Sequence, residues 1–306
     1  MGFNSLRYSL VLYENISIND GRPRLLQLSK QIVSYTLYSD IVKNWILFKI
    51  LNKNNMEITE NFKKYLSGFF DGDGSITVEK SKGGYSLRIK FSQSNENWID
   101  TIKNYYPFLK KSGYKRNDKN SRKEYELRAS GVQIKPLIED LLKYSILKYE
   151  QLVEANKFFE LINTRNKNEE KEMIYLKLKE LKNFSINKLY ERLTIPYIAG
   201  LFDAEGSIGI YNKTLRVKLT QKSDTIILQK IADIYKNINN IDNYAISFYG
   251  INSLKLLNDI KEHCIYKTPQ ILITLKYIDT INIELTDDII NLRKEYVKVL
   301  KDEKHF

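Results

Sequence analysis

The sequence of 306 residues predicts an α+β fold of two similar halves, each running helix, two strands, helix, two strands, helix. Three observations predict it. A block at 65–79 recurs without a gap at 197–211, with Tyr, Gly, Phe, Asp, Gly, Ser and Ile at matching places. Three further matches follow in the same order: 88–93 with 216–221, the helix-like stretches 97–106 and 224–235, and Lys148-x-x-Gln151 with Lys267-x-x-Gln270. After each copy the apolar period changes from helical to alternating, the signature of a half-buried strand.

The elements follow in chain order. Residues 1–60 have no counterpart in the second half and are expected to form an appendage, helical from Leu25 to Leu51, with Lys30, Lys43, Lys49 and Lys53 available to a polyanion. The first half is expected at 61–162, a polar linker with a helix at 163–192, and the second half at 193–306. Tyr65 to Phe70 reads as an apolar helix. Ile76 and Val78 then alternate with Ser75, Thr77 and Glu79, Lys82-Gly83-Gly84 turns the chain, and Leu87, Ile89 and Phe91 return antiparallel between Arg88 and Lys90. Strand-like pieces surround Tyr114 to Arg116 and Arg122 to Arg128. In the second half the hairpin is Ser207 to Tyr211 and Leu215 to Gln221, turning at Asn212-Lys213.

Composition narrows the partner. With 42% hydrophobic and 28% charged residues the chain has a globular balance, and stretches such as Trp45 to Leu51 are far too short to span a bilayer. No membrane partner and no secretory signal are expected. A single cysteine, Cys264, rules out a disulfide framework and fits a reducing compartment. The formal charge of +12 points to a polyanion, because each phosphate neutralised by Lys or Arg releases counterions. Richness in Lys, Asn, Ile and Tyr suggests AT-rich codons, as in an organelle genome.

The repeated block breaks local rules twice in the same way. Gly68 and Gly200 interrupt apolar helices at a cost of about 1 kcal/mol each relative to Ala. Asp71 and Asp73, like Asp203 and Glu205, fall at helix C-termini, where the macrodipole disfavours anions. One Asp-Gly-Asp-Gly alone would read as a capped turn. Two copies with matching strands read as a site. Glycine permits close helix–helix approach, so the two copies are expected to pair and bring Asp73 and Glu205 together. Adjacent carboxylates repel unless protonated or bridged by cations, and Mg²⁺ is commonly held by one or two carboxylates.

The strands carry a second argument. With the apolar positions facing a core, the opposite faces carry Ser75, Thr77, Glu79, Arg88 and Lys90, and Ser207, Tyr211, Arg216, Lys218 and Thr220. Ribbons of this polarity fit the major groove. Eight residues extend roughly 26 Å, about eight base pairs, so two halves approach two helical turns of duplex.

Leu66-Ser67-Gly68-Phe69-Phe70-Asp71-Gly72-Asp73-Gly74 and Ile198-Ala199-Gly200-Leu201-Phe202-Asp203-Ala204-Glu205-Gly206 resemble the two signature motifs of a single-chain LAGLIDADG homing endonuclease. The resemblance covers about residues 60–280, and Ser67 stands where the family usually has Ala. It implies two αββαββα halves about a pseudo-twofold axis through paired motif helices, with antiparallel sheets against DNA. It implies a monomer of the organellar group I intron-encoded type that makes a metal-dependent double-strand break at a long, non-palindromic site. Mg²⁺ is the expected cofactor, with Mn²⁺ substituting and Ca²⁺ binding without supporting cleavage. Asp73 and Glu205 would hold the metals, assisted by the carbonyls of Gly72 and Ala204, while Asp71 and Asp203 close helix ends across the interface. Gln93, Gln221, Lys148 and Lys267 resemble the polar and basic residues placed near the metals and the scissile phosphate. Further DNA contacts are expected from Arg116, Arg122, Arg128 and Lys213. Two other readings use the same fold: a maturase acting on its own intron RNA, and a sequence-specific binder that no longer cuts. The second is opposed by the presence of both acids. An intein is opposed by the C-terminus, Lys301-Asp302-Glu303-Lys304-His305-Phe306, which lacks a terminal Asn.

Overall fold

The computed structural model describes residues 58–303 except 83, 116–122, 163, 165–166, 184–186, 212–213, 237–240 and 282. The expected helix at 25–51, the appendage lysines, and Arg116, Arg122 and Lys213 lie outside the described residues.

In the first half, helix α1 (Glu60–Asp73) begins where Thr59 Oγ1 accepts from Phe62 N at 3.2 Å. Strands β1 (Gly74–Ser81) and β2 (Gly84–Gln93) form the expected hairpin, closed at Gly84, whose φ of +118° suits glycine. Helix α2 (Glu96–Tyr105) starts at Asn95, whose side chain accepts from Trp98 N at 2.8 Å. Strands β3 (Lys110–Lys115) and β4 (Lys123–Ser130) complete a four-stranded antiparallel sheet of order β1-β2-β4-β3. Helices α3 (Lys135–Tyr144) and α4 (Tyr149–Leu161) follow.

The core lies beneath this sheet. Ile76, Val78, Leu87, Ile89 and Phe91 are buried as their alternation predicts, with Trp98 stacked on Phe69 at 3.8 Å between ring centroids. The register pairs Ser75 with Lys90 and Thr77 with Arg88, so the expected polar residues share the opposite face.

Helix α5 (Asn168–Asn183) lies within the stretch expected as a linker with a helix, and it also packs on the first half. Ile174 and Leu178 are part of the first-half core, and Glu172 accepts from Lys80 Nζ at 2.8 Å and from Tyr85 Oη at the hairpin tip. Its apolar positions recur at helical spacing, so the helix is held by burial rather than left in solvent.

The second half repeats the pattern with α6 (Ile195–Glu205), β5 (Gly206–Tyr211), β6 (Thr214–Thr220), α7 (Thr225–Ile234), β7 (Ala245–Tyr249), α8 (Gly250–Ile260) and α9 (Thr268–Asp279), ending in α10 (Asp287–Glu303). Among the described residues its sheet has three strands, β5-β6-β7, where four were expected. The segment before β7 contributes an isolated bridge between Asp242 and Ala245 instead of a ladder.

Candidate active site

Helices α1 and α6 pack against each other through their glycines. A Cβ on Gly68 would lie 2.0 Å from Tyr197 O, and one on Gly200 would lie 1.8 Å from Tyr65 O. Real Cβ atoms cannot come so near a carbonyl, so the two backbones are in direct contact only because both positions are glycine. The approach continues to the helix ends, where a Cβ on Gly72 would meet Ala204 Cβ at 2.5 Å and Glu205 Cγ at 3.2 Å. Asp73 and Glu205 therefore end neighbouring helices side by side.

Their electrostatics follow from that position. Burial, then the neighbouring Glu205 carboxylate, push Asp73 up to about 7. Burial also raises Glu205. Lys148 and Lys267 oppose both shifts and are themselves pushed down by burial, Lys148 to about 8. In each half one ammonium reaches the motif helix end. Lys148 Nζ donates to Phe70 O (2.7 Å), Gly72 O (3.2 Å) and Gly74 O (2.6 Å), and Lys267 Nζ donates to Asp203 O. Each cation thus offsets the negative end of a helix dipole that the acids make worse.

The other acid of each motif acts across the structure. The Asp71 carboxylate accepts from Ser145 Oγ (2.5 Å), from the backbone N–H groups of Ile146 (2.7 Å), Leu147 (2.9 Å) and Lys148 (3.0 Å), and from Tyr197 Oη (2.7 Å). Asp203 repeats this with Ile265 N (2.7 Å), Tyr266 N (2.8 Å), Lys267 N (2.9 Å) and Tyr65 Oη (2.7 Å). The expectation that these acids close helix ends across the interface is thus refined. Each anchors the turn opening the last core helix of its own half, α4 or α9, and only the tyrosine bond crosses. Tyr65 also accepts from Trp98 Nε1 at 2.8 Å. Tyr65 and Tyr197 were not singled out from the sequence, although the duplicated block shares its tyrosine.

Gln93 and Gln221 continue the core-facing phase of their strands. Gln93 Oε1 accepts from Ser94 N (2.7 Å) and Gln221 Oε1 from Ser223 N (3.0 Å) and Ser223 Oγ (2.7 Å). Their carbonyl oxygens serve the turns that follow, a job the spacing alone did not reveal.

The sheet faces differ in charge. On the first, Arg88 Nη1 is 2.6 Å from Glu79 Oε1 and Lys90 Nζ is 3.0 Å from Glu126 Oε1, with Arg128 exposed directly opposite Lys90. Glu126, two positions before Arg128 in β4, was missed because it counts as an ordinary strand residue until the register is known. On the second face, Ser207 pairs with Lys218 and Gly209 with Arg216, and the Arg216 guanidinium stacks 4.6 Å from the Tyr211 ring centroid. Tyr249 lies across from Arg216 on the other side.

The site fits a divalent cation bound together with a phosphate. It has two half-buried carboxylates with raised pKa, and no cluster of three or more His, Cys, Asp or Glu exists among the described residues to form an all-protein cage. Mg²⁺ suits such a site, since it retains waters and takes substrate oxygens. A pH prediction follows. Asp73 titrates near 3.9 when unfolded and near 7 when folded, so its ionisation opposes folding. Metal-free protein should therefore lose a few kcal/mol of stability from this group between about pH 4 and pH 7, with none lost below that window. Chemical denaturation of wild type and Asp73→Asn should give equal stabilities from this group at pH 4 and a more stable variant at pH 8. Mg²⁺ should raise the wild-type melting temperature more at pH 8 than at pH 6.

Comparisons with known proteins bear on the fold. Residues 66–158 match the family model described as LAGLIDADG endonuclease. The "Probable intron-encoded endonuclease Cox1-I1b" of Schizosaccharomyces pombe (strain 972 / ATCC 24843) is 27% identical over 237 residues, 67% of this chain and 60% of that protein. The chain thus spans about three fifths of that relative's length. Among solved structures, the LAGLIDADG meganuclease I-AabMI bound to uncleaved DNA has a TM-score of 0.59 at 18% identity, covering 77% of this chain and 98% of its own. The LAGLIDADG homing endonuclease I-GzeII in complex with its DNA target gives 0.59 at 18%, covering 77% and 97%. I-SmaMI bound to uncleaved DNA in the presence of calcium ions gives 0.58 at 14%, covering 78% and 98%. Residues 66–158 thus match a LAGLIDADG endonuclease domain, and the chain has the fold of the two-domain LAGLIDADG meganucleases.

Proposed function

We propose that this chain is a monomeric, divalent-metal-dependent endonuclease that cuts both strands of one long, non-palindromic DNA site. The observation that carries the proposal is the pairing of Asp73 and Glu205, one from each half, at adjacent helix ends between two polar sheets. Each carboxylate would hold a divalent ion, Mg²⁺ first and Mn²⁺ in its place, with the carbonyls of Gly72 and Ala204 beside them. Bound metal supplies the charge that eases deprotonation of water and stabilises the leaving oxygen. In the hydrolysis a water oxygen bonds to phosphorus as the bond to the leaving sugar oxygen breaks, and that oxygen takes up a proton. Lys148 and Lys267, beside the acids, would offset charge on the phosphate as it forms. Gln93 and Gln221 shape the turns after their strands and would also supply polar groups near the metals, as the resemblance implies.

The faces would lie in the major groove over roughly two helical turns. Arg88 and Lys90 already have acidic partners, so they offer directed hydrogen bonds more than free charge, while Lys218 and Arg216 offer both. The unlike faces support an asymmetric target. Lys218→Ala should therefore lower the slope of log K against log [salt] by about one, whereas Glu126→Gln should raise affinity by freeing Lys90. Filter binding in Ca²⁺ from 50 to 300 mM salt, on the order of the range where phosphate contacts dominate, measures both.

An organellar group I intron fits the Lys-, Asn-, Ile- and Tyr-rich composition and predicts the target. The exon sequences flanking the reading frame are joined into one duplex and incubated with protein and Mg²⁺. A double-strand cut that EDTA abolishes supports the reading. Tight binding without a cut in Mg²⁺ or Mn²⁺ leaves a DNA binder.

A further inference from the structure

The segment between the halves sends four polar side chains into the two halves it joins. Arg192 Nη1 donates to Leu142 O (2.7 Å) and Ser145 O (3.2 Å), and its guanidinium stacks 4.8 Å from the Tyr149 ring centroid. Lys188 Nζ donates to Leu147 O at 2.7 Å, and Asn187 Nδ2 donates to Glu150 Oε1. Tyr190 Oη donates to Asp224 Oδ2 at 2.6 Å, the residue that caps α7 in the second half. Three of the four therefore grip residues 142–150, and the fourth ties the segment to the other half.

That region is the turn that Asp71 holds. Its N–H groups at Ile146, Leu147 and Lys148 point to the Asp71 carboxylate, while its carbonyls at Leu142, Ser145 and Leu147 point to Arg192 and Lys188. An anion on the donor side and two cations on the acceptor side polarise the 145–146 and 147–148 peptide groups in the same sense, so each hold strengthens the other. The turn ends in Lys148, whose ammonium reaches the α1 helix end beside Asp73. Among the described residues, the donors of Lys188 and Arg192 go to the first-half turn.

We propose that Lys188 and Arg192 are positioning residues that fix Lys148 in the first half of the site. The proposal rests on the nuclease reading for its consequence: loss of the clasp slows the cut that depends on Lys148 and spares the one that depends on Lys267. The two cations touch neither acid, so they act through the turn.

The test uses full-length protein with Lys188→Met and Arg192→Met together, and a supercoiled plasmid carrying the joined exon duplex. In amide hydrogen exchange without DNA, protection at Ile146, Leu147 and Lys148 should fall while that at Ile265, Tyr266 and Lys267 stays. In cleavage, nicked circle should accumulate over linear product by on the order of tenfold relative to wild type, as expected when outer-shell support is removed. The intact strand should be the one that Lys148→Met leaves intact and opposite to that of Lys267→Met. Lys188→Arg should keep the strands balanced. Unchanged exchange at 146–148, equal loss at both turns, or linear product without a strand bias overturns the proposal. The exchange result stands whether or not wild type cuts, so it separates failure of the clasp from failure of the nuclease reading. If the double variant loses the wild-type melting transition, Lys188→Met alone carries the same readouts at smaller amplitude.

Discussion

Asp73→Asn and Glu205→Gln should each lower double-strand cleavage by on the order of a thousandfold, while binding of the duplex in Ca²⁺ changes far less. Both substitutions keep size and remove only the charge that would hold a cation. Each carboxylate costs the metal-free fold something, because burial disfavours its ionised form and the Asp73 charge faces that of Glu205. Activity and stability should therefore move in opposite directions, with the inactive variants melting higher at pH 8 in EDTA. A damaged fold would lower both. The double variant should be little worse than either single one, since the acids act as a unit. Single-turnover cleavage together with melting curves decides the matter, and an inactive variant that also melts below wild type would count against the assignment.

Gly68→Ala and Gly200→Ala should be the most destabilising single-methyl changes at the interface between the halves. Ordinary overpacking of a core costs about 1–3 kcal/mol because side chains can shift. Here the new methyl would meet a backbone carbonyl at 2.0 or 1.8 Å, and only separation of the helices could relieve it. A loss of more than about 3 kcal/mol is expected, which for a chain of this size lowers the melting temperature by roughly 6–12 °C. The pair should be less than additive, because the first substitution already opens the gap that the second needs. Cleavage should fall with it, as opening α1 from α6 parts Asp73 from Glu205. A double-mutant cycle by thermal denaturation measures this, and fully additive losses would show that each glycine has its own contact rather than one shared approach.

The legible part of the molecule was the part written twice. The glycines and acids of the duplicated block were odd choices for a helix; the glycines have their cause in the α1–α6 contact, and Asp71 and Asp203 in the turns they hold. Strand phase was legible because one face is buried, so Ile76, Val78, Leu87, Ile89 and Phe91 alternate without a fault. Three things were not legible. The packing of helix α5 on the first half is hidden because its polar face dominates the composition, while a few apolar residues such as Ile174 and Leu178 are buried. Arg88–Glu79 and Lys90–Glu126 needed the strand register before their pairing could be seen. Lys188 and Arg192 lie far in sequence from the turn they hold, and a basic residue in a polar segment carries no local mark. Tyr65 and Tyr197 are an intermediate case, since repetition flagged them but only the fold gave them Asp203 and Asp71 as acceptors.

The most direct test of the central claim is to locate the metal. Crystals of the protein with its joined exon duplex, grown or soaked in Mn²⁺, would be measured for anomalous scattering at the manganese edge. Density between the Asp73 and Glu205 carboxylates and the DNA phosphates is predicted, and it should be lost in the Asp73→Asn, Glu205→Gln double variant. Manganese bound elsewhere on the duplex complex, with those two carboxylates facing only each other or solvent, would contradict the account.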